Sequence, residues 1–230
     1  MPDGIGFKEG VKIEKEKWAK MDAKKRWSYF KTYYLKWVIA IILAIVAIVS
    51  ITSSIIKSKK TENLFEGALV NTYISTEGEN YLGEGYLNHL GTGKYRKVYL
   101  NTAINISVDE ENLDQYMYAN RVKLMSLMAA QELDYMIVSK EALENLEPGD
   151  TYADLTTCLS EELMEELSDY IEYAQHDETM EEYPAAIRIT DSYLVKEYQL
   201  SPKDCYLVFI SNSKRLDRAE NFVKYIYWGE

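Results

Sequence analysis

One stretch constrains this chain more than any other: residues 37–56, WVIAIILAIVAIVSITSSII. Its first 13 residues are apolar without interruption, and none of the 20 carries a charge. Wound as a helix, 20 residues rise roughly 30 Å, the thickness of a bilayer's hydrocarbon core. The segment is expected to be an uncleaved transmembrane helix. The run is long for the apolar part of a signal peptide, and no Ala-x-Ala site or nearby Cys follows it.

Charge sets the expected orientation. Residues 1–36 hold ten Lys or Arg and five Asp or Glu, and Lys57, Lys59 and Lys60 follow the apolar run. The remaining 170 residues hold 13 basic and 32 acidic side chains. Basic residues beside a membrane helix stay preferentially cytoplasmic. Ten before the helix outweigh three after it, so the reading is a single-pass protein of the cell membrane, N-terminus cytoplasmic and C-terminal domain extracytoplasmic. Four parts are expected: a basic juxtamembrane segment at 1–36, the transmembrane helix at 37–56, a polar linker at 57–62 and an extracytoplasmic domain at 63–230.

Beyond Gly10 the first segment has no Gly or Pro until the membrane run, which predicts helix for much of its length. Trp27, Phe30, Tyr33, Tyr34 and Trp37 crowd its membrane end, where rings with basic neighbours suit the headgroup region. That composition serves an ordinary anchor, a lipid-binding helix or a docking site for a cytoplasmic partner. The lipid bilayer is the partner this half of the chain implies.

The outer domain is long enough for one sizeable core. Its acidity argues against nucleic acid, which needs a basic footprint. Cys158 and Cys205 read as two buried, reduced thiols, with a disulfide as the alternative in an oxidising compartment.

Strands and helices alternate along this domain. Strands are expected at 67–74, 95–102, 134–138 and 205–211, with two short ones at 170–173 and 185–190. A weak helix at 79–90 carries Gly83 and Gly85. A strong one at 113–131 presents Leu113, Met117, Val122, Leu124, Leu127 and Met128, and a short one follows Ser139 as N-cap and ends at Pro148-Gly149. The last starts near Lys214. Such alternation predicts an α/β domain with a largely parallel sheet.

The chain carries none of the familiar catalytic motifs. It has no Gly-x-Ser-x-Gly, no His-Glu-x-x-His and no phosphate loop. The glycines of LGEGYLNHLGTGKY lack a Gly-Lys-Ser/Thr ending. His176, Asp177 and Glu178 read as a solvated acidic turn, and Asp109, Glu110, Glu111 and Asp114 as helix N-terminal acids without calcium-loop spacing. No metal site, no cofactor and no enzymatic activity are expected. The 20 tyrosines suit either core packing or a sugar- or peptide-binding surface.

Two passages resemble extracellular solute-binding proteins of the type 2 periplasmic-binding fold. In LMAAQELDYMIVSKEALENLEPGDTYADLTTCLSEE the matching residues are Ala130, Leu133, Asp134, Ile137, Val138, Tyr152, Asp154, Leu155 and Thr156. In the C-terminal passage, Ala219, Phe222, Val223, Tyr225 and Ile226 match the helix after the return strand. The resemblance implies a single lobe of that fold, since the chain has residues for one. The layout is also similar to small anchored membrane proteins of Gram-positive bacteria.

Together these features predict a membrane-anchored, non-catalytic binding or scaffold module, such as an accessory subunit of a transporter or other membrane complex. A solute-sensing or solute-presenting protein and an enzyme of unknown class are the alternatives. In open α/β sheets ligands sit beyond the carboxyl ends of the strands. The candidate contact residues, for a membrane protein complex or a small solute, are therefore Thr76, Asn101, Thr102 and Lys140. Each could equally be a turn or cap residue.

Overall fold

The computed structural model describes residues 7–106, 114–146, 151–177 and 179–230. Leu113, Asp109, Glu110, Glu111, Pro148, Gly149 and Glu178 lie outside the described residues. The chain divides into two compact units, Met1–Lys60 and Thr61–Glu230.

The first unit is helical: α1 (Phe7–Ala19), α2 (Ala23–Tyr33) and α3 (Leu35–Lys60). The helix expected ahead of the apolar run is thus two helices. Asp22 marks the break, because its carboxylate accepts from the Lys25 N–H at 2.8 Å and caps α2. Arg26 spans the break, its Nε donating to the Trp18 carbonyl at 2.9 Å. Leu35–Ser53 of α3 is long and apolar enough to cross a membrane, and none of its described residues is buried. The helix continues to Lys60 and the first strand opens at Glu62, so residues 57–62, expected as a linker, hold a helix end and a strand start.

The second unit is α/β. Its strands are β1 (Glu62–Val70), β2 (Arg96–Ile104), β3 (Tyr135–Ser139), β4 (Ile171–Gln175), β5 (Glu182–Arg188) and β6 (Cys205–Phe209). They form one sheet in the order β2-β1-β3-β6-β5-β4. All four main strands read from the sequence belong to it, and β6 is interior. The expectation of a largely parallel sheet is corrected: β1 pairs in parallel with β2 and β3, but β3–β6, β6–β5 and β5–β4 are antiparallel. Helical crossovers return the chain in the same direction between β1, β2 and β3. The acidic turn between β4 and β5 is too short for a crossover, which takes a dozen residues or more, so those strands reverse as a hairpin.

Serines start the short helices. Ser75 caps α4 (Thr76–Asn80), Ser139 caps α7 (Lys140–Asn145), Ser160 caps α8 (Glu161–Glu166) and Ser192 caps α9 (Tyr193–Tyr198). Between α4 and α5 (Tyr86–Leu90) the helix widens into a π turn, Tyr81–Gly85, where the two helix-weakening glycines fall. The remaining helices are α6 (Gln115–Ala129) and α10 (Ala219–Trp228).

The two faces of the sheet are covered unequally. On one, Phe65, Leu69, Tyr135, Ile137, Leu207 and Phe209 meet Leu82 and Tyr86, then Leu155, Leu159 and Leu163, and Phe222, Val223 and Ile226 of α10. Tyrosines contribute much of this core. Tyr81 stacks on Tyr225 at 4.3 Å, and the two exchange bonds, each hydroxyl donating to the other's carbonyl at 2.7 and 3.0 Å. On the other face Ala68, Val70, Met136, Val138 and Val208 lie under α6 and α7. Of α6 only Leu124 is fully buried, while Tyr118, Val122 and Met125 are exposed, so this helix covers less than its pattern predicts.

One buried ion pair joins the sheet to the end of the chain. The Asp134 carboxylate, wholly buried, accepts from Arg215 Nε at 2.7 Å, from the Ser213 hydroxyl at 2.5 Å and from the Glu66 N–H at 2.7 Å. Its own N–H donates to the Glu66 carbonyl, and its carbonyl accepts from the Ile210 N–H.

Close approach of β1 and β3 depends on Gly67, because a Cβ there would run into the Tyr135 ring. Gly67→Ala is expected to lower stability by about 1–3 kcal/mol through overpacking. In denaturant titrations, adding Tyr135→Leu should cost less in the Gly67→Ala background than in the wild type. Additive losses would contradict the packing argument.

Candidate functional site

The unequal cover leaves a groove on the α6–α7 face. Helix α6 packs chiefly on β2, and α7 on β3 and β6, so neither lies mainly over β5 and β4. Those two strands carry Ala174, Ala185 and Ala186, which have too little bulk to fill the space. The resulting hollow encloses about 370 Å³. Its walls are Tyr152, Tyr173 and Tyr206, with Leu143, and its charges are Lys140, Glu144 and Glu172.

Local geometry explains each wall. The β4–β5 register slips between Glu172 and Tyr173: Glu172 faces Ala186, but Tyr173 faces Pro184. Ala185 is the extra residue of this bulge, and both alanines face the same core. Ser139 caps α7 by accepting from the Ala142 N–H at 3.1 Å, which places Lys140 at the helix start and Glu144 one turn on. Tyr152 is held beside the end of β6 by its bridge to Ile210.

Tyr152 carries the most informative atom. The residue is 2 % exposed, and its hydroxyl has no hydrogen-bond partner among the described residues. A buried hydroxyl left unpaired is unfavourable by about 1–3 kcal/mol. Burial raises the Tyr152 phenol's pKa, and pushes Tyr206 up to about 12 with Asp204 adding to the effect. Both are therefore neutral hydrogen-bonding groups at physiological pH.

Of the four residues expected from the sequence, only Lys140 lines this groove. Thr76 is the exposed first residue of α4. Asn101 and Thr102 lie within β2, which runs on to Ile104, and Asn101 donates to the Glu66 carboxylate at 2.9 Å. Past the strand ends, Asn71 occupies left-handed backbone, and its side chain bonds both the N–H and the carbonyl of Ile106. Tyr73 donates to Asn105 at 2.7 Å. These groups satisfy one another. Sequence reasoning missed the groove because it is made by small residues, and the available signal was the Ala185-Ala186 pair inside a strand.

Ser139, the hydroxyl nearest Lys140 in sequence, serves as a helix cap. Burial pushes both thiols, Cys158 and Cys205, up to about 12, and both are free. At neutral pH they are protonated and weakly nucleophilic. Among the described residues no three His, Cys, Asp or Glu side chains converge on one point.

Removing the Tyr152 hydroxyl should leave stability within about 0.5 kcal/mol of wild type, or raise it, because no bond is lost. Tyr86→Phe, which deletes the hydroxyl donating to Asn221 at 3.0 Å, should lower it by about 0.5–1.5 kcal/mol. Equal losses in the two variants would mean that the Tyr152 hydroxyl is satisfied within the fold.

Comparison of the chain with protein-family models, with curated proteins and with solved structures returned no match.

Proposed function

We propose that this chain is a single-pass membrane protein whose acidic α/β domain stands outside the cell and binds a partner without catalysing a reaction. The groove beside Lys140 is the contact site. The observation that carries this reading is the hollow itself, walled by Tyr152, Tyr173 and Tyr206 and flanked by Lys140. The hollow opens beside β4, an edge strand whose Glu172 and Tyr173 are exposed. An exposed edge and a side-chain groove together suit an extended peptide segment, with main-chain bonds supplying affinity and the groove supplying specificity. The partner is a subunit of a membrane complex, such as a transporter, which the anchor keeps at the same surface.

Support for the orientation is the excess of basic residues ahead of α3. Support for a single lobe of the type 2 periplasmic-binding kind is the course of the C-terminal passage. It enters the sheet interior as β6, antiparallel between β3 and β5, and leaves into α10.

A membrane-impermeant amine-reactive crosslinker applied to intact cells tests the reading. The tagged wild-type chain should form a discrete adduct. Ala174→Trp, which fills the groove, and Lys140→Glu, which reverses its charge, should each reduce that adduct at least about tenfold. Val122→Ser, on exposed α6, should leave it unchanged. An adduct that survives Ala174→Trp in a variant of unchanged melting temperature removes the groove as the contact site.

A further inference from the structure

The end of the sheet at which the outer domain begins differs in charge from the rest of it. Residues 85–108 contain no acidic side chain, in a domain that holds 32. Within them the sequence Lys94-Tyr95-Arg96-Lys97 turns from the Gly91–Gly93 loop into β2. Lys94, Arg96 and Lys97 are all exposed, and Tyr95 is half-buried. Strand β2 is an edge strand, so its outer side faces no other strand.

Register places this basic corner beside the first residues of β1. Glu62 is paired with Arg96 and Asn63 with Lys97. The Glu62 N–H donates to the Tyr95 carbonyl at 2.6 Å, and the Arg96 guanidinium meets the Glu62 carboxylate at 3.3 Å. Thr61 alone separates Glu62 from the last residue of α3. Covalent geometry therefore keeps Glu62 within about 8 Å of Lys60. Residues 54–60 rise about 10 Å as helix beyond Ser53, a distance comparable to the headgroup layer.

We infer that the corner Lys94–Lys97 binds the anionic lipid headgroups of the membrane that α3 crosses; the inference rests on α3 being a membrane span. Cations near an anionic surface are attracted over about a Debye length, and a tyrosine between them suits the interface. With three cations the corner is a local exception on an acidic domain, which a negative surface would otherwise repel.

Hydrogen–deuterium exchange of the full chain in nanodiscs tests this. One set of discs is phosphatidylcholine alone, and the other contains roughly one-third phosphatidylglycerol. Amides 92–97 should exchange at least about fivefold more slowly in the anionic discs, and the difference should vanish at roughly 1 M salt, where the Debye length is ~3 Å. Lys94→Gln with Lys97→Gln, which keeps the Arg96–Glu62 pair, should abolish the difference while the β3 amides stay protected. Equal exchange in the two kinds of disc, with α3 amides protected in both, overturns the lipid contact and leaves the anchor intact. Free exchange along 38–52 overturns the membrane span itself, and the inference with it.

Discussion

Much of the α/β unit is organised around one carboxylate. Asp134 sits at the start of β3 with no exposure to water, and its charge is held by a guanidinium from Arg215 beyond β6. A charge in that position is strongly unfavourable unless paired and hydrogen-bonded. Here it receives donors from β1, from Ser213 and from Arg215, so three separated parts of the chain must come together to satisfy it. The consequence is topological. With β3 tied to the residues after β6, the last strand enters the sheet interior next to β3. The β4–β5 hairpin is then placed at the far edge. Arg218 extends the same tie, its Nη1 donating to the Leu64 carbonyl on β1.

From that placement the groove follows. Helix α6 packs on β2, and α7 on β3 and β6, so they lie over the part of the sheet away from the β4–β5 hairpin. The hairpin arrives late and at the edge, with no following helix to cross that face. Its alanines and the bulge at Ala185 then leave a hollow rather than a packed layer. On the other face, α10 and the segment around Leu155–Leu163 both pack against the sheet.

The parts legible in the sequence are those set by local chemistry. The uncharged run became α3, and Ser139 is the N-cap its position implied. Apolar runs at β1, β3 and β6 are strands, since they are buried on both faces of a sheet. What could not be read is what tertiary context decides. The tie between β3 and the residues after β6 is made by Asp134 and Arg215, two residues 81 positions apart. The cover on α6 depends on what else packs beside it, so Val122 matches a helical apolar pattern yet is exposed. Lys140 was found because it follows an apolar strand. Tyr152 and Ala186 were not, because a groove built from absence of bulk leaves no motif. Asn101 illustrates the converse: a polar residue near a strand end serves the fold, as a donor to Glu66.

The Asp134–Arg215 pair ties β3 to the residues after β6, and a double-mutant cycle in equilibrium unfolding of the Thr61–Glu230 unit measures that tie. Asp134→Ala or Arg215→Ala alone should each lower stability by about 3–5 kcal/mol, because each strands a buried charge. The double variant should lose no more than the worse single one, giving a coupling of at least about 3 kcal/mol. Single losses below about 1 kcal/mol, or losses that simply add, would show that β6 is held in place by apolar packing alone.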